Sequence, residues 1–266
     1  MNDHLFLTTF PSRGNYERAF QKLKEINVPY DFIHPTPPLK YVALPALIVS
    51  RDTRAVLEED GGIIFSGWVD YCPSSRPLPE GEEPKETAPC LERVVITVLN
   101  PCVADYRKIR LIAQIDGDLT SLMPYLNAVL PQASYNSKSQ TLTFMEGYRM
   151  IALYPERITL AKADDIIDAW LTLERIRLLV VRTCLGREKI VPSFERRERP
   201  PAVEIYKRLP KTNCGLCGEF TCLAFALKVW LGEVSLARCR PVFDDEGTYT
   251  HLREPLKEIC SGMGLI

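Results

Sequence analysis

Four cysteines crowd into one stretch, Cys214, Cys217, Cys222 and Cys239, spaced C-x2-C-x4-C-x16-C. Thiolates are soft anionic ligands. Four of them are what a cubane iron–sulfur cluster needs, one for each iron. The two short spacings let three sulfurs converge from one loop. The long gap lets a helix run out and the chain return with the fourth. Zinc also takes four cysteines, usually as two closely spaced pairs. Here three are close and the fourth is distant and single, a spacing that favours a [4Fe–4S] cluster.

The residues between the cysteines suit that geometry. Gly215 and Gly218 permit positive φ and close approach of the backbone. The run LAFALKVWL after Cys222 reads as an apolar helix stopped by Gly232. Its N-terminal amides would face an anionic cluster. Phe220, Phe225, Val229 and Trp230 are expected to exclude water from it.

The other five of the nine cysteines, 72, 90, 102, 184 and 260, are scattered. Disulfide frameworks belong to small chains in oxidising compartments, so these read as structural: Cys184 ends an apolar helix as a small buried hydrophobe, and Cys72 and Cys90 are too isolated to make a site. Spacing excludes Cys260 from the ligand set. Cys102 follows a strand and is a weak site candidate with Asp116 and Asp118, although Asp-Gly-Asp is more often a turn and helix cap. His4, His34 and His251 are far apart in the chain. No phosphate loop, dinucleotide fingerprint or D-x-H-x-x-G corrinoid pattern occurs.

Two segments read as linkers. Residues 72–90 hold five prolines and several acids, and residues 187–201 are charged and end in Pro200-Pro201. They divide the chain into a small α/β unit (1–71), an α+β unit (91–186) and the four-cysteine unit (202–266). In the first, strands are expected at 5–10, 31–34, 46–49 and 63–67. Helices follow Asn15 and cover 51–59. The second reads β-β-α-β-β-β-α. Its last helix carries the stripe Ile166, Ala169, Trp170, Leu173, Ile176 and Val180, with Asp165 and Asp168 at its positive end. The expected fold class is α+β: two small sheet-plus-helix domains, ferredoxin-like or α/β sandwich, followed by a small helical Fe–S cluster domain.

The net charge of −1 over 266 residues argues against nucleic acid as a partner. No apolar stretch is long enough for a membrane span, and MNDHLFLTTF lacks a targeting pattern, so a cytoplasmic protein is expected. A basic run, Arg196, Arg197, Arg199, Lys207, Arg208 and Lys211, abuts the cysteines. It reads as a solvated linker, or as a docking surface for an acidic redox partner or compensation of cluster charge. Asp244-Asp245-Glu246 reads as a solvated turn.

The cysteine segment resembles the four-cysteine domain of the corrinoid iron–sulfur protein large subunit and of the Rnf complex B subunit. Leu209-Pro210, Asn213-Cys214-Gly215, Cys217-Gly218, Thr221-Cys222, Phe225-Ala226, Gly232 and Cys239 carry the resemblance. Arg240 is a departure, standing between Cys239 and a proline that often follows directly. The resemblance implies a low-potential [4Fe–4S] cluster for one-electron transfer in anaerobic metabolism. It also implies a redox partner protein such as a corrinoid protein or a reductase complex. An electron-transfer or accessory protein is therefore expected rather than a stand-alone enzyme. The alternative is a binding or assembly protein with a structural or regulatory cluster. Residues 10–35 are similar to selenium/sulfur carrier-like proteins, but PTPPLKYVALPALIV lacks their Cys-Gly pair, so only the fold would carry over.

Overall fold

The computed structural model describes residues 4–244 and 248–266. The chain is α+β, built on two antiparallel sheets with a helical C-terminal region. No described helix is long and apolar enough to cross a membrane.

The first sheet contains β1 (Leu5–Thr8), β2 (Asp31–Ile33), β3 (Ala46–Ser50) and β4 (Val69–Asp70), in the order β2-β3-β1-β4. Helices α1 (Arg13–Ile26) and α2 (Arg51–Glu59) cover one face. Alternation along β3 explains the burial of its first four residues. Leu47 and Val49 pack with Ala19, Leu23 and Leu57 of the helices, whereas Ala46 and Ile48 face the larger core. One face of the first sheet is thus covered by its own helices, and the other joins the main core shared with the second sheet and its helices.

Two expectations shift here. Ser12, not Asn15, caps α1, accepting from the Asn15 N–H at 3.2 Å. Asn15 instead accepts from the Ile64 N–H at 3.0 Å. That tie holds the 63–67 run as a loop, so its strand is replaced by β4 a few residues later.

The second sheet runs β5-β6-β10-β9-β8-β7. Its strands are β5 (Val94–Pro101), β6 (Ile109–Ile115), β7 (Ser134–Asn136), β8 (Thr141–Glu146), β9 (Arg149–Leu153) and β10 (Arg157–Ala163). Strand β7 was not foreseen, because three residues carry no readable period. Helices α3 (Met123–Val129) and α4 (Ile166–Gly186) pack on one face. Every residue of the expected α4 stripe is buried in the main core. Asp165 caps α4, accepting from the Asp168 N–H at 2.9 Å.

The 72–90 segment has no regular element beyond one β-bridge, Ala88 to Leu91. It is nonetheless strapped down. Thr36 Oγ1 donates to the Pro79 carbonyl at 2.6 Å, Lys40 meets Glu83 at 2.5 Å, and Arg182 meets Glu86 at 2.6 Å. Polar composition kept it from forming a core, and polar partners fixed it instead.

The C-terminal region contains α5 (Ala202–Lys207), α6 (Cys222–Trp230), α7 (Arg240–Phe243) and α8 (Arg253–Gly262). Its own core joins Ile205 and Leu209, Phe225, Ala226 and Val229 of α6, Val242, and Leu256 and Cys260 of α8. Of the acidic turn, Asp244 is exposed, and Asp245 and Glu246 lie outside the described residues.

Candidate metal centre

Three loop segments bring the four cysteines together. The first runs from Pro210 to Gly218 in an irregular path, with Asn213 (φ 50°), Gly215 (φ 72°) and Gly218 (φ 89°) in the left-handed region. Only glycine and asparagine adopt that region readily. A Cβ on Gly218 would stand 3.0 Å from an Arg238 guanidinium nitrogen, so the missing side chain lets Arg238 lie against the loop.

The second segment is the start of α6. Thr221 is its N-cap and accepts from the Ala224 N–H at 3.0 Å. Cys222 is the first helical residue, and its N–H donates to Asn213 Oδ1 at 2.8 Å. This bond spans nine residues and ties the loop of Cys214 and Cys217 to the helix bearing Cys222. It also modifies the expectation for α6, because two amides of its first turn are already committed to side chains. The third segment is the short 3-10 turn Leu236–Arg238, which delivers Cys239 just before α7. Arg240 and Pro241 start that helix, so the extra arginine is accommodated in its first turn.

Cys214, Cys217, Cys222 and Cys239 line one small cleft with Pro210, Asn213, Phe225 and Pro241. Cys217 is 8% exposed, Cys222 8% and Cys239 6%, whereas Cys214 is exposed. Burial pushes the Cys239 thiol up to about 11, and the neighbouring Cys217 and Cys222 thiols add to the rise. Among the described residues no group of three or more His, Cys, Asp or Glu closes on a single ion. A cubane holds its thiolates apart by the body of the cluster, so its donors need not converge on one point. The all-sulfur donor set fits iron–sulfur ligation.

The expected water shield is only partly present. Phe225 and Val229 are buried, at 1% and 2%, but Phe220 is 96% exposed. Trp230 turns away, donating from Nε1 to the Pro200 carbonyl at 2.8 Å under the Arg199 guanidinium.

The remaining candidates do not join the cleft. Cys260 is fully buried in the core behind it, and burial raises its thiol to about 11. Cys90 sits against Cys184, and burial, then that neighbour, push it up to about 12. Asp116 accepts from the Glu92 and Arg93 amides at 3.0 Å, and Asp118 from the Thr120 N–H at 2.6 Å, so both serve turns. His4 pairs with Asp70 at 2.9 Å. Sequence reasoning gave Asn213 no role. Its signal would have been a residue tolerant of positive φ placed just before the first cysteine.

Residues 209–241 match the family described as "Putative Fe-S cluster". The chain is 44% identical over 64 residues to the corrinoid/iron-sulfur protein large subunit of Moorella thermoacetica, covering 23% of this chain and 14% of that protein. It is 49% identical over 63 residues to the acetyl-CoA decarbonylase/synthase complex subunit gamma of Methanothermobacter thermautotrophicus, again 23% and 14%. The Methanosarcina acetivorans subunit gamma is 46% identical over 69 residues, covering 23% and 15%. The chain spans about a seventh of the length of these relatives, and no solved structure matches it. The C-terminal segment is thus an iron–sulfur-family domain homologous to part of these complex subunits.

Proposed function

We propose that Cys214, Cys217, Cys222 and Cys239 hold one [4Fe–4S] cluster and that the protein passes single electrons to or from a partner protein. One observation carries this reading: four thiols from three separate segments line one cleft without an imidazole. When bound, such a cluster accepts or releases one electron. Four thiolates leave no iron open to substrate, which favours electron transfer over Lewis-acid chemistry.

The chain's own residues would do the rest. Asn213 locks the loop to α6. Phe225 and the α6 face behind it keep the inner wall dry. Exposed Cys214 leaves one edge open to a partner. Homology to subunits of corrinoid and acetyl-CoA complexes supports a partner of that kind in anaerobic metabolism.

Anaerobic expression, iron and sulfide analysis, and EPR after dithionite test the proposal. The expected result is about four irons and four sulfides per chain and a signal from a reduced cluster. Cys217→Ser and Cys239→Ser should each abolish it. Stoichiometric zinc, or iron that no dithionite reduces, would overturn the reading.

A further inference from the structure

We infer that the exposed face around Cys214 is a docking surface for a small acidic one-electron carrier protein, an inference that rests on the electron-transfer reading above. Its centre is apolar. Leu216 is 57% exposed, Phe220 96%, Leu223 51% and Leu227 49%. Leu216 and Phe220 stand between the cysteines, and Leu223 and Leu227 share one face of α6 at i, i+4. These four exposed apolar side chains fall in the cysteine loop and on one face of the helix that follows it; grouped exposed apolar side chains mark an interaction site, and a protruding aromatic is a frequent anchor of one. Nothing in the C-terminal core uses these four side chains.

The rim supplies the sign of the partner. Arg238 lies against Gly218, Arg240 follows Cys239, and Lys211 precedes Cys214; all three are exposed. No described carboxylate pairs with any of them. The one acid in the loop, Glu219, is taken by Lys228 at 2.8 Å. The basic run expected for this role is mostly consumed elsewhere. Arg197 donates to the Asn127 and Leu130 carbonyls, Arg199 stacks on Trp230, and Lys207 and Arg208 pair with Glu204. The positive face is therefore assembled by the fold from residues 211, 238 and 240. Cations with no carboxylate partner among the described residues, set beside exposed apolar side chains, steer and then hold an acidic partner. In the transfer one electron leaves the reduced site and one enters the oxidised carrier, with no bond made or broken.

The test uses the full chain with an acidic flavodoxin as probe and basic cytochrome c as the control, measuring affinity by titration at low and high salt. Iron per chain and one-electron transfer rates are read in parallel. Flavodoxin should bind with an affinity that falls at least tenfold between low and high salt, and cytochrome c should not. Phe220→Ser and the double change Arg238→Glu, Arg240→Glu should each weaken binding and slow transfer at least tenfold, with iron content unchanged for Phe220→Ser. Equal binding by wild type and both variants, or equal binding of the basic protein, would overturn the inference. So would a charge-reversal variant whose reduction potential moves while its binding does not, because the arginines would then only balance charge at the site. Flavodoxin binding by a chain that holds no reducible iron would remove the cluster reading and leave the docking surface standing.

Discussion

Asn213 is the residue on which the cysteine loop turns. Its φ of 50° directs the chain into the loop, and its carboxamide holds the Cys222 N–H. Loss of a capping acceptor costs about 1 kcal/mol, and a Cβ-bearing alanine at positive φ costs about 1 kcal/mol more. Asn213→Ala should therefore release iron several-fold faster in air, measured as iron remaining per chain against time. Asn213→Gly separates the two effects, since it keeps the backbone and deletes the bond. Faster release by both variants assigns the effect to the hydrogen bond, and release by alanine alone assigns it to φ. At this scale the sequence is most readable for the cysteines, whose gathering into one cleft follows from their spacing and the glycines between them. It is least readable for Asn213, whose partner is nine residues away and is fixed only when α6 forms. The exposure of Phe220 was misjudged for the same reason. An aromatic between the cysteines reads as shielding until the loop's direction is known.

The elements of the middle region are tied by a charged knot at the start of α4. Asp168 is fully buried and takes the Arg149 guanidinium of β9 through two oxygens, at 2.5 and 2.8 Å, with Arg76 of the 72–90 segment at 3.4 Å. Asp164 accepts from Lys108 and from the Tyr148 hydroxyl. Removing one partner of a buried pair costs about 3–5 kcal/mol. Asp168→Ala should lower the unfolding free energy by that order in denaturant titration. Asp164 gives a pH signature. Burial pushes its carboxyl up, but hydrogen bonds from Lys108 and Tyr148 outweigh that and hold it below the usual carboxylate range. A depressed carboxylate stabilises fully above its ordinary value of about 4 and loses that contribution as pH falls through its folded value. Asp164→Asn should therefore cost about 1–2 kcal/mol at pH 7, a difference that closes in acid. A gap that persists unchanged below pH 3 would assign the effect to shape rather than charge. Tyr148 moves the other way. Burial, then Asp164, push its hydroxyl up to about 12. Its contribution is present below an ordinary value of about 10 and fades as pH rises towards 12. The α4 stripe was legible because its six apolar residues recur at one helical period and so fix a helix face. Asp168 was legible only as a charge near the helix start. Its pairing with Arg149 depends on the β9 register, which no local pattern contains. Strand β4 was displaced for a similar cause: Asn15 captures the Ile64 amide and turns an apolar run into a loop.

Across the whole molecule, the C-terminal unit is seated on the turn between β8 and β9 at two glycines. The Gly147 N–H donates to the Gly264 carbonyl at 2.8 Å, and Lys162 Nζ donates to the Leu231 carbonyl at 3.2 Å. Gly232 ends α6 at φ 72°, and a Cβ there would stand 2.4 Å from the Tyr148 Cα. The stop was readable from the sequence, since glycine ends helices in this conformation. The close approach was not, because it joins residues 84 positions apart by number and depends on how two units meet. Gly232→Ala therefore has two costs, about 1–2 kcal/mol for the backbone conformation and about 1–3 kcal/mol for overpacking against a backbone that cannot yield. The second falls on the contact between units. The expected outcome is a lower melting midpoint together with faster amide exchange at Gly147 and Tyr148, where the units touch, while iron per chain stays at the wild-type value. The cysteines should be spared because the cleft is closed by the C-terminal core alone, through Phe225, Val242 and Leu256. Iron loss in step with the fall in midpoint would show the reverse, that seating on the middle sheet is what holds the four-cysteine loop in shape.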